Sequence, residues 1–82
     1  MKAYTLKKKK NTSELHLFEG AMSDKSCTSN DLSICEKMKK SDSEANIFQC
    51  FDESDARKEC AKIGRAVCGI CVSHLYTTYK SN

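Results

Sequence analysis

The residues of this sequence that could do chemistry beyond packing are six cysteines, at positions 27, 35, 50, 60, 68 and 71, and two histidines, His16 and His74. Cysteines this dense cross-link a chain, hold a metal as thiolates, or exchange electrons as a dithiol. Cys68-Gly69-Ile70-Cys71 is a C-x2-C pair with His74 three residues on, and thiolate and imidazole at such spacings suit tetrahedral zinc. A second pair is missing, because Cys27 and Cys35, like Cys50 and Cys60, stand too far apart in sequence. The C-x2-C also lies in an apolar stretch of helical pattern rather than on a tight turn. No metal is therefore expected, and Cys68 and Cys71 read as a third, local disulfide or as two reduced core residues. A thioredoxin-like pair is set aside, since no βαβ pattern surrounds it. No nucleophile has a base beside it and no glycine-rich phosphate loop is present, so neither an enzyme nor a cofactor is expected. His74 reads as a helical histidine on a docking face, His16 as an exposed residue of an N-terminal arm.

The elements that must position these groups come from a short chain. Eighty-two residues, 39% hydrophobic and 30% charged, allow one small domain whose core needs a staple. Three glycines and no proline argue against a turn-rich β fold. No run approaches the roughly 18 apolar residues of a membrane helix, and the N-terminus lacks the apolar segment of a secretory signal. Residues 1–26 carry the whole net charge of +3, while residues 27–82 sum to zero. The expected division is therefore a basic, largely unstructured arm over 1–26 and a helical domain over 27–82. Lys7, Lys8, Lys9 and Lys10 are a like-charge run, solvated or else docked on anionic lipid or nucleic acid phosphate, with lipid the expected contact. No nucleic acid partner is expected, because the run has no arginine and is short. Residues 27–41 form a weak amphipathic pattern. Ser41-Asp42-Ser43-Glu44 has the form of a capping box, and from Phe48 onward apolar residues recur at helical steps as far as His74.

Between the cysteines lie seven residues (27 to 35), fourteen (35 to 50) and nine (50 to 60). The order C-x7-C, loop, C-x9-C resembles the coiled-coil-helix-coiled-coil-helix, or twin C-x9-C, family of the mitochondrial intermembrane space. Residues 50–60 carry the closest match. The resemblance implies an all-α fold: an antiparallel helical hairpin clamped by Cys27–Cys60 and Cys35–Cys50, with the basic arm before it and a helical extension after it. Two helices of those lengths can align both pairs like rungs.

It also implies a non-catalytic accessory subunit of a respiratory-chain complex, peripheral on the inner membrane, whose partners are the other subunits. The alternatives are an assembly factor or metallochaperone of the same family, a mitochondrial ribosome subunit, and a secreted helical disulfide-rich peptide. Val67, Ile70, Leu75, Tyr76 and Tyr79 spread over more than one face of the extension. With Leu17 and Phe18 of the arm they are the expected partner-binding residues.

Overall fold

The computed structural model describes residues 2–23 and 26–80, with side chains described as far as Leu75. Its frame is a three-stranded antiparallel sheet with two helices against it, not the all-α hairpin. Strand β1 (Lys2–Lys9) is central, flanked by β2 (Leu15–Ala21) and β3 (Ser43–Phe51). The stretch expected to be a free arm is thus the middle and one side of the sheet.

Alternation explains this. Tyr4 and Leu6 fall on one face of β1 and Ala3, Thr5 and Lys7 on the other, while β2 alternates in the same way through Leu15, His16, Leu17 and Phe18. The register sets Leu6 opposite Leu17 on the core face and Thr5 opposite Phe18 on the other, and all four are buried. The lysine run does not repel itself out of the sheet, because its members face different partners. Lys7 is buried, donates to Asn46 Oδ1 at 2.8 Å and lies over the Phe18 ring; Lys8 pairs with Glu44 at 3.4 Å. Burial, helped by nearby Lys40, holds the Lys7 ammonium below its usual pKa.

The shortage of glycine and proline is no obstacle, because the β1–β2 turn is built from other residues. Asn11 takes the left-handed conformation at φ 63°, and the Lys9 amide donates to Glu14 O at 3.0 Å. No helix forms over 27–41, which is an irregular connection closed by short bridges. The capping-box residues Ser41 to Glu44 instead lead from a single 3-10 turn, Lys40–Asp42, into β3. Phe48 and Phe51 are strand residues with stacked rings 4.5 Å apart.

Helix α1 (Glu53–Ile63) begins where Asp52 caps it, its carboxylate accepting from the Asp55 amide at 2.8 Å. It ends at Gly64, whose φ of 80° suits glycine, and α2 (Gly69–Lys80) follows. The core lies between the sheet and the helices: Tyr4, Leu6, Leu15, Leu17 and Phe48 from the strands, then Ala56, Cys60, Val67, Cys71 and Leu75. Ala3, Thr5 and Phe18 on the opposite face are buried too, and the long connection adds buried Ser33 and Met38.

The cross-link also differs from the pairing that the resemblance implies. Cys27 bonds to Cys50, with Cα atoms 5.8 Å apart, while Cys35, Cys60, Cys68 and Cys71 are free thiols. Cys60 cannot reach Cys27 because it points from α1 into the core, and Cys35 is held at the far edge of β2. Closing a loop of 23 residues, the bridge contributes about 3 kcal/mol by loop entropy. It ties the connection to the edge strand β3.

No helix is long and apolar enough to cross a membrane among the described residues.

Candidate metal centre

The outer edge of β2 organises the free cysteines. Its carbonyls at positions 15, 17 and 19 point away from β1 and accept bonds from two other parts of the chain. Ile34 N donates to Leu17 O at 2.9 Å and Cys68 N to Leu15 O at 2.7 Å. Each donor adjoins or belongs to a cysteine of the centre, and His16 lies between the two acceptors. Two chain segments are therefore clamped to one strand edge on either side of a histidine.

The first segment is a tight turn. Glu36 N donates to Ser33 O at 2.9 Å and Ser33 N to Met38 O at 2.9 Å, with Glu36 at φ 64°. This presents Cys35 toward β2. The second is Val67 to Cys71, where the chain bridges to Leu15 and then turns into α2, so that Cys68 precedes the first helical residue and Cys71 lies in the first turn. The C-x2-C does sit at a helix start, where a turn can bring its two sulfurs together.

His16 Nδ1, Cys35 Sγ, Cys68 Sγ and Cys71 Sγ consequently lie within 4.8 Å of one another. His16 Nδ1 is 3.3 Å from Cys35 Sγ and 4.0 Å from Cys71 Sγ. A zinc tetrahedron with three thiolates and one imidazole has edges of about 3.8 Å between sulfurs and about 3.6 Å from sulfur to nitrogen. The cluster fits that figure with small adjustments.

The surrounding groups suit it as well. His16 is buried, and its Nε2 lies 2.9 Å from Glu14 Oε1. With Nε2–H given to the carboxylate, the Nδ1 lone pair faces the sulfurs, which is the tautomer a metal needs. The same hydrogen bond holds the Glu14 carboxyl below its usual pKa.

Burial alone pushes Cys35 up. Hydrogen bonds from Ser33 Oγ and the Lys37 amide, then contacts with Cys71 and His16, outweigh it and bring the thiol down to about 6. Cys71 goes the other way, to about 12, chiefly through burial and also through the charge of Cys68, against hydrogen bonds from the Leu17 and Cys35 amides. The two directions belong to one site. Without a cation the thiolate is favoured at Cys35 and disfavoured at buried Cys71, whereas a divalent cation removes that penalty.

Glu14→Gln should weaken metal affinity roughly 10-fold to 100-fold while leaving the metal-loaded fold intact, measured by competition with a chromogenic chelator. Unchanged affinity would show that the carboxylate does not orient His16.

The structure brings together Cys68 and Cys71, as their spacing suggested, but completes the set with His16 and Cys35 rather than with His74 and a second pair. His74 is exposed, with Nε2 4.0 Å from Glu19 Oε2. Cys60 is a buried core thiol, pushed up to about 11 by burial and the Glu59 charge. Of the residues expected to face a partner, Leu17, Phe18, Val67 and Leu75 are buried inside the domain, and Ile70 is 53% exposed. Tyr76 and Tyr79 lie outside the residues whose side chains are described.

His16 is the functional residue that the cysteine pattern could not supply. Its signal is local: a histidine alternating with Leu15 and Leu17 must leave the apolar face and needs a polar partner of its own. Compared with models of known protein families, with curated proteins and with solved structures, the chain matches none.

Proposed function

We infer that the chain is a small zinc-ordered binding module with no catalytic role of its own. The observation that carries this is the convergence of His16, Cys35, Cys68 and Cys71 within 4.8 Å, from three separate segments. Four protein ligands close a tetrahedron and leave no open position for water or substrate, which is the structural rather than the catalytic type of zinc site. The module needs such a site, because 82 residues with a core of this size are marginal and the one disulfide does not reach the C-terminal helix. This reading is preferred to the respiratory-subunit role, because the helical hairpin of the resemblance is absent and Leu17, Phe18, Val67 and Leu75, four of its expected partner-facing residues, are buried within the domain.

The test is metal reconstitution. Protein refolded with cobalt should take up one equivalent and show thiolate-to-cobalt charge transfer with visible bands of tetrahedral intensity, and zinc should displace the cobalt stoichiometrically. A refolded protein that binds neither ion, with Cys68 and Cys71 joined by a disulfide on peptide mapping, would overturn the reading.

A further inference from the structure

The net charge of the chain is concentrated at one end of the molecule. The Lys10 amide donates to Asp42 O at 2.9 Å and Lys9 pairs with Ser43, so the tip of β1 lies against the 3-10 turn Lys40–Asp42. Lys40 is near enough to Lys7 to depress its pKa, and Lys9 and Lys37 both act on Glu14. Arg65 and Lys37 line a hollow of about 300 Å³ beside His16 and Cys68. Eight of the fourteen basic residues thus gather here, from 7–10, 37–40 and 65, against five acidic ones at 14, 31, 36, 42 and 44. The remainder of the chain is balanced, six against six, so the whole +3 sits at this end.

Within the patch is an open concavity of about 670 Å³ lined by Asp31, Leu32, Lys39, Lys40 and Ser41. Leu32 is 42% exposed and gives it an apolar floor, while Lys39 and Lys40 are exposed at its rim. Lys40 N donates to Asp31 O at 2.7 Å, which holds the two sides of the concavity together.

We propose that this end of the module binds single-stranded nucleic acid, with one base over Leu32 and the flanking phosphates on Lys9, Lys37, Lys39 and Lys40. An unpaired base is a flat apolar body that fits such a floor, and its exocyclic amino group can donate to the Asp31 carboxylate or Ser41 Oγ. A bilayer is the poorer match. Membrane docking wants several apolar residues among the cations, and here Leu32 is a single apolar residue with the Asp31 carboxylate beside it. The proposal rests on the reading of the chain as a metal-ordered module.

The experiment uses full-length, zinc-loaded protein and a short labelled oligoadenylate, followed by fluorescence anisotropy across a salt series. Four phosphate contacts on a single strand predict a log–log slope of about −2.8, or an about 50-fold loss of affinity between about 50 and 200 mM salt. Lys39→Gln with Lys40→Gln should weaken binding about tenfold at low salt and flatten the slope by about 1.4. Leu32→Ser should weaken binding with the slope unchanged. Lys58→Gln with Lys62→Gln, on α1, should do neither.

Three results overturn the proposal: no anisotropy change at low salt, equal effects of the patch and α1 variants, or binding to phosphatidylserine vesicles that the oligonucleotide does not compete away. Cobalt spectra of every protein separate the two levels. Metal bound without oligonucleotide sinks this proposal alone, and neither bound sinks the module reading with it.

Discussion

Cys71→Ser abolishes the cooperative unfolding transition of the zinc-loaded protein, whereas Cys60→Ser lowers its stability by only about 1–3 kcal/mol. Both cysteines are buried in the same core between sheet and helices, so a model in which cysteines matter only as packing predicts similar losses. They differ in what faces them. Cys71 Sγ belongs to the four-atom cluster with His16, Cys35 and Cys68, and Cys60 does not. Structural zinc contributes on the order of 10 kcal/mol in small modules, comparable with the whole stability expected of a domain this size. Removing one ligand, or adding a strong chelator to the wild-type protein, should therefore leave a chain with native-like disulfide but no melting transition by circular dichroism. If Cys71→Ser and Cys60→Ser melt alike, and metal content is unchanged, the cluster is not a metal centre.

Gly20→Ala is the second large effect, and it comes from backbone rather than side chains. A Cβ at Gly20 would stand 2.6 Å from the Thr28 carbonyl carbon and 2.9 Å from Ser29 Cα, and would overlap Thr28 O. None of these atoms can rotate away. Thr28 N donates to Ala21 O at 2.9 Å and Asn30 N to Glu19 O at 2.8 Å, so the connection is laced to β2 on both sides of the clash. Relief requires peeling residues 28–30 from the strand, at a cost of about 3 kcal/mol or more. For a domain of this length that lowers Tm by roughly 10–20 °C. The same connection delivers Cys35, so metal affinity should fall along with stability. Gly64→Ala is the comparison: its Cβ meets nothing within 4 Å, so its cost is backbone strain at φ 80° alone, about 1–3 kcal/mol. Equal melting of the two variants would show that the close approach at Gly20 is not enforced.

Some of this architecture was legible in the residues. The Cys68–Cys71 spacing suits zinc, and the residues of α1 and α2 fall inside the stretch whose apolar steps read as helical, but the break at Gly64 between them did not show in that pattern. What misled was the assumption that metal ligands come in two close pairs. Here two of the four come singly, Cys35 from a turn and His16 from a strand, and only the β2 edge makes them neighbours. The lysine run misled in a similar way. Four consecutive cations look solvated until Glu44 and Asn46, more than thirty residues later, arrive on β3 to receive two of them. The helical period was also extended too far back, because Phe48 and Phe51, three apart as on a helix, come together in a strand whose alternation is interrupted at Cys50, φ 60°. The expected pairs Cys27–Cys60 and Cys35–Cys50 came from the twin C-x9-C resemblance and its helical hairpin. The sheet instead sets Cys50 on an edge strand next to the connection that holds Cys27, a neighbourhood that cysteine intervals do not encode.

The strand order β2-β1-β3 has a consequence for how the molecule is assembled. β1 and β2 are adjacent in sequence and can close as a hairpin within microseconds. The β1–β3 register spans 34 residues at its nearest pair, Lys9 with Ser43, and 47 at its farthest, Tyr4 with Phe51, so β3 docks late. Until then the central strand is a bare edge, with Tyr4 and Leu6 beside unpaired amides and carbonyls, a template on which another chain could pair. Lys7, Lys8 and Lys9 occupy that edge. In the finished sheet Lys7 and Lys8 are satisfied by Asn46 and Glu44 of β3; in the half-built hairpin all three are gatekeepers, whose mutual repulsion keeps two incomplete molecules from zipping together before either has its third strand.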